Sequence, residues 1–102
     1  MWVIAVYDCP MIEREERRDY TLFRKSLLQE NFFQLQNSLY VRHFPTMAVA
    51  EATIQRIRLG IPAGAQVAFF LVTDKQYAMT REFFGNRPTK KKPNLPEQIE
   101  LF

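Results

Sequence analysis

The run Trp2-Val3-Ile4-Ala5-Val6-Tyr7 constrains this chain more than any other segment. It is uninterrupted, apolar, and rich in β-branched and aromatic side chains, which predicts a strand buried on both faces. It stops on a charge. Asp8 is the first charged residue of the chain, and Cys9-Pro10 follow it. Proline has no amide to donate, so the ladder ends there. A carboxylate is thereby presented at the end of a core strand, on the lip of a loop, where a rigid scaffold fixes its position and solvent reaches it. Read locally, the same Asp is also an ordinary turn starter or helix cap.

The length of 102 residues predicts one domain, and an apolar fraction of 47% supplies a real core. The longest apolar runs, residues 2–7 and 67–72, are far too short to span a bilayer, so no membrane role is expected. One cysteine, Cys9, excludes an internal disulfide and a structural zinc site. With no secretory leader pattern, a reducing, cytoplasmic setting is expected. His43 is the only histidine, which leaves Ser-His-Asp and Cys-His triads without a supporting motif.

The net charge of +3 matters less than its placement. Arg17, Arg18, Arg24 and Lys25 crowd one segment. Arg87, Lys90, Lys91 and Lys92 crowd another that holds no acid. Uneven basic charge is the footprint expected for phosphate backbones, with a solvated surface as the plain alternative.

A helix is predicted from about Glu13–Glu16, with the stripe Tyr20, Phe23, Leu27 and Leu28 and a stop at Asn31. Two short strands follow, joined near Asn37-Ser38. Thr46 caps a second helix with the stripe Met47, Ala50, Ile54 and Ile57, closed by Gly60. Gln66–Thr73 reads as a fourth, central strand. A helix over Lys75–Phe84 is stopped by Gly85, and Gln98–Phe102 alternates as a last strand. The order is the βαββαβ arrangement of ferredoxin-like α+β domains, with an extra C-terminal helix and a terminal strand. Residues 1–85 form the domain. Residues 86–102 form a basic linker and a strand that pairs across a dimer or with a partner. Exposed edges in so small a sheet favour a homodimer.

Several separated segments now agree. They are Val-Tyr-Asp-Cys-Pro after the first strand, Glu-Arg-Arg-Asp-Tyr-Thr-Leu-Phe-Arg-Lys over 16–25, Phe-Gln-Leu-Gln-Asn-Ser-Leu-Tyr-Val-Arg over 33–42, and Val-Thr-Asp-Lys-Gln-Tyr over 72–77. In this order and spacing the chain resembles the Cas-two family, the small CRISPR-associated proteins of spacer acquisition. Phe-Arg-Lys and Thr-Asp-Lys-Gln-Tyr look most like members from type II systems. Cys9 departs from the aliphatic residue commoner at its position, and is expected only to pack.

The resemblance implies a homodimer that bridges two dimers of the Cas-one integrase and holds the duplex DNA to be inserted. It also implies a metal-dependent endonuclease, with single-stranded RNA as an alternative substrate. The family's metal-ligand aspartate matches Asp8, which makes Asp8 the catalytic and metal candidate. Magnesium takes oxygen ligands and keeps several waters. One Asp8 is a thin site, so two copies facing each other across a dimer are expected to share one Mg2+ or similar divalent cation. Without the cation, the two carboxylates repel. The nucleic-acid-binding candidates are Arg17, Arg18, Arg24, Lys25, Arg42, Arg87, Lys90, Lys91 and Lys92. Two readings stand side by side: a DNA-holding structural subunit, and an endonuclease acting through Asp8. Tyr7 is expected to pack rather than to serve the site. Glu15, Glu16 and Asp19 are expected to serve helix-end electrostatics and to pair with arginine neighbours.

Overall fold

The computed structural model describes residues 1–86. The basic cluster Arg87 and Lys90–Lys92 and the expected strand 98–102 lie outside the described residues. Within them the order is β1 (Trp2–Asp8), α1 (Arg14–Gln29), β2 (Phe33–Gln36), β3 (Leu39–His43), α2 (Met47–Arg58), β4 (Gln66–Val72) and α3 (Asp74–Ala78). The four strands form one sheet in the order β2-β3-β1-β4, every pair antiparallel. This is the βαββαβ arrangement expected from the chain.

The helix ends follow from their residues. A capping box joins Glu13 and Glu16 at the start of α1, satisfying two amides that have no partner within the helix. Asn31, in the left-handed region at φ 65°, ends it as expected. Thr46 Oγ1 accepts from the Val49 amide at 3.2 Å and starts α2. Thr73 and Gln76 make a second capping box at α3. Ser38, at φ 61°, makes the tight turn between β2 and β3.

The core lies between one face of the sheet and the helices α1 and α2. Val3, Ala5 and Tyr7 of β1 and Tyr40 of β3 share one core cluster with Phe23 and Leu27 of α1, Ala50 and Ile57 of α2, and Phe32 and Phe44. Each large buried side chain here contributes about 1.5–3 kcal/mol of transfer free energy.

Four expectations are corrected. First, the strands are not buried on both faces. Along β1 the buried residues alternate with half-buried ones, because the helices cover only one side. Second, β4 is an edge strand rather than a central one, and its apolar composition serves an uncovered face. Third, α3 ends at Ala78 instead of Phe84. Met79, Phe83 and Phe84 stay exposed, so no packing supports further turns. Fourth, Met47 is 52% exposed and Leu28 is exposed as well, while Thr53 fills the α2 seam.

The sheet face that α1 and α2 leave open among the described residues is apolar. Register places Phe33, Val41, Ile4 and Phe70 in one row across all four strands, beside a second row of Leu39, Val6 and Ala68. Val41 is fully covered by its neighbours, but Phe33 and Phe70 are 50% and 53% exposed. At one end of this face α3 leans in, and Tyr77 stacks on Trp2 at 4.0 Å. At the other end of β1 stands Asp8.

Candidate metal and nucleic-acid site

Successive residues of a strand point to opposite faces. Trp2, Ile4, Val6 and Asp8 therefore share the open face, while Tyr7 turns into the core. Asp8 is the last paired residue of β1 and lies directly opposite Gln66 of β4. Both are exposed. Asp8, Cys9, Pro10, Gly64 and Gln66 line a small open cleft.

The loop that carries this cleft is held from two sides. Glu16 Oε1 accepts from the Ile12 and Glu13 amides at 3.0 and 2.9 Å. The Arg17 guanidinium donates to the Ile12 and Met11 carbonyls at 2.8 and 3.4 Å. On the other side, Gly64 sits at φ +81° with the position of a Cβ only 3.3 Å from Pro10 Cγ. A side chain there would meet both a strained backbone and the proline ring.

Cys9 is half-buried and packs against the core, as expected of it. Burial, and then the neighbouring charge of Asp8, push its thiol above the ordinary range. Asp8 therefore stands beside a protonated sulfur, and the available donor is hard carboxylate oxygen. That chemistry fits a divalent cation of the magnesium type, which takes one or two carboxylates and retains water. Among the described residues no three His, Cys, Asp or Glu side chains converge. One chain offers one carboxylate to such an ion.

Tyr7 does not reach the cleft. Its hydroxyl and that of Tyr40 are buried and find no hydrogen-bond partner among the described residues, beside Tyr20 and Phe23. Burial first, then the neighbouring tyrosines, hold Tyr7 firmly in its neutral form. His43 pairs with Trp2 at the opposite end of β1. Six residue steps of about 3.3 Å separate Trp2 from Asp8, so His43 lies roughly 20 Å away and cannot serve it as a base. Instead Asp74 accepts from the Met1 ammonium at 2.7 Å and meets His43 Nε2 at 3.2 Å. The ammonium, and more weakly His43, hold the Asp74 carboxyl below its usual range.

The basic candidates divide by what they touch. Arg17 is engaged by the loop carbonyls. Arg42 donates to the Glu30 carbonyl at 2.8 Å and lies 4.2 Å over the Phe44 ring, so its charge is spent closing the end of α1. Arg18 and Lys25 are exposed, and Arg24 is half-buried. At 100° per residue, Arg14, Arg18 and Lys25 fall on one outward stripe of α1, opposite Phe23 and Leu27. Among the described residues the ion pairs involve none of these four cations. Arg14 escaped the sequence reading, and helical spacing from Arg18 was the signal that could have found it. Gln66 also escaped it, because strand register is needed to place it beside Asp8.

The class is thus an α+β domain with a split βαβ sheet, an exposed acid at the end of its central strand and a basic helix beside it. Residues 1–80 match the family described as CRISPR associated protein Cas2, and the chain belongs to that family. It is 36% identical to the "CRISPR-associated endoribonuclease Cas2" of Parvibaculum lavamentivorans, over all of both chains. It is 35% identical to the protein of the same name from Flavobacterium psychrophilum, over all of this chain and 88% of that one. In structure it is similar to Streptococcus pyogenes Cas2 in a crystal form at pH 6.5. The TM-score is 0.64 with 19% identity, over 82% of this chain and 100% of the other. That likeness concerns the fold. No helix among the described residues is long and apolar enough to cross a membrane.

Proposed function

We propose that this chain is a subunit of CRISPR adaptation that dimerises through its open sheet face, binds duplex DNA and bridges Cas-one integrase dimers. The observation that carries this reading is the apolar row Phe33-Val41-Ile4-Phe70, half-exposed at both its phenylalanines, with Asp8 on the same face. A second copy covering that face buries the two half-exposed phenylalanines. It also turns both Asp8 side chains toward one interface, so a single thin site becomes a pair of carboxylates. Family membership supports the role in adaptation.

The outward stripe of Arg14, Arg18 and Lys25, with Arg24 on its flank, supplies positive charge that no acid among the described residues pairs, for the phosphate backbone. Arg87 and Lys90–Lys92 remain candidates for the same duplex and for the integrase contact. The two Asp8 carboxylates would hold the divalent cation. When bound, such an ion supplies charge neutralisation at a phosphoryl group and lowers the pKa of its water. Asp8 itself would hold the ion from a rigid strand end.

The relatives' name, endoribonuclease, favours a second reading, in which the chain also cleaves RNA, and Asp8 is our candidate for that chemistry. One experiment separates the two. Spacer acquisition in cells and RNA or DNA cleavage by purified protein, with and without Mg2+, are compared for wild type, Asp8→Asn and an Arg18→Ala, Lys25→Ala double variant. The bridging reading expects acquisition to fall with the basic variant. Unchanged DNA affinity and unchanged salt dependence in that variant would remove α1 from the interface. Equal cleavage by wild type and Asp8→Asn would remove Asp8 from the nuclease reading.

A further inference from the structure

We infer that Gln66 is the second residue of the Asp8 site, a positioning residue whose carboxamide holds the water shell of a divalent cation bound by Asp8. The inference deepens the proposed metal site and rests on it. Three observations carry it. Gln66 is the direct cross-strand partner of Asp8. Directly paired residues of antiparallel strands have Cβ atoms about 4.5–5.5 Å apart and share a face. Both side chains are exposed at the same cleft, with no protein hydrogen bond engaging the Gln66 side chain among the described residues.

The third observation is the backing of the cleft. β4 enters from Gly64, whose missing side chain lets the loop before β4 lie against Pro10. The backbones that carry Asp8 and Gln66 are thus locked by ladder hydrogen bonds on one side and by this contact on the other. Two strand-borne side chains on a fixed frame are what a preorganised ion site needs.

The chemistry suits magnesium. The ion dehydrates reluctantly and keeps most of its waters, so partners that receive hydrogen bonds from those waters matter as much as the ligands themselves. A carboxamide offers one acceptor oxygen and two N–H donors. Its oxygen can take a metal-bound water, and its N–H groups can donate to Asp8 or to a phosphate oxygen. It does this without adding further negative charge, one for each copy, to a face where two Asp8 carboxylates would already repel. A carboxylate at position 66 would bind the cation more tightly but would worsen that repulsion when the cation leaves.

The test is a Mn2+ titration of the full-length protein, read by the electron paramagnetic resonance signal of free Mn2+, with folding checked by circular dichroism. The variants are Asp8→Asn, Gln66→Ala, Gln66→Glu and Gln66→Asn. Gln66→Ala is expected to weaken Mn2+ binding on the order of tenfold, the usual loss for an outer-shell partner. Gln66→Glu is expected to tighten it, and Gln66→Asn to fall between wild type and Gln66→Ala. If Gln66→Ala does not fold, the Gln66→Asn and Gln66→Glu pair carries the comparison. Wild-type affinity in every position-66 variant, with binding lost in Asp8→Asn, would overturn the role of Gln66 and leave Asp8 in place. Retained binding in Asp8→Asn, or none in wild type, would sink the metal site itself.

Discussion

Replacing Phe70 by Ala should dissociate the proposed dimer while leaving each protomer folded. A fully exposed phenylalanine presents about 200 Å². Phe70 is 53% exposed in the single chain, so about 100 Å² remains for a partner to cover. At about 25 cal/mol per Å², that is about 2.5 kcal/mol for each copy. A symmetric interface uses the residue twice, which gives about 5 kcal/mol. Alanine keeps part of the contact, so a loss of about 3 kcal/mol is expected, or a dissociation constant raised about a hundredfold. Sedimentation equilibrium over a range of protein concentrations measures this directly. Thermal unfolding of the dilute protein checks the fold, and its midpoint should move little because the ring is already half in water. A dissociation constant within about threefold of wild type would refute the assignment of this face. So would a wild-type protein that stays monomeric at every concentration tested.

Other outcomes follow from single contacts. The Arg56 guanidinium bonds both Glu30 oxygens at 2.9 and 3.0 Å and holds that carboxyl below its ordinary value. The folded-state value is lowered, so the pair's stabilisation is complete above the unfolded value of about 4.3 and is lost as pH falls through the folded one. Arg56→Ala should therefore cost stability at neutral pH and shrink the acid-side decline, measured by urea unfolding at several pH values. Thr46→Ala removes the cap of α2 and should cost about 1 kcal/mol in the same assay. Tyr7→Phe and Tyr40→Phe each delete a buried hydroxyl without a partner, so both should be neutral or stabilising, by up to about 1–3 kcal/mol. Tyr7→Phe should also remove stability loss above about pH 10, where the unfolded chain ionises and the folded one does not. A large destabilisation by either change would show that the hydroxyl has a partner after all.

Much of this was legible in the residues. The apolar run ended by Asp8-Cys9-Pro10, the stripe of Phe23 and Leu27, and the cap at Thr46 are local signals, and they mark the first strand and the first two helices. Family motifs lay in order along the chain. What failed depended on tertiary neighbours. Val67–Val72 is apolar at every position, and nothing local separates a central strand from an edge strand. Gly85 is a valid stop signal, but α3 already ends at Ala78, because Met79, Phe83 and Phe84 find no surface among the described residues to pack on. Arg42 carries the same charge as Arg18. Only the fold brings the Glu30 carbonyl and the Phe44 ring to it and leaves Arg18 facing water. The pairing of Asp8 with Gln66 spans 58 positions and is set by register alone.

The single thiol has a use of its own. Two influences hold Cys9 protonated, burial and the adjacent charge of Asp8, and the second depends on what happens at the cleft. Anything that cancels that charge, by substitution or by a bound cation, should make the thiol more acidic and speed its reaction with a labelling reagent at fixed pH. With no other cysteine in the chain, the labelling rate reads one position only. Cys9 is thus a native voltmeter beside Asp8, able to report the electrical state of the site without any activity having to be measured.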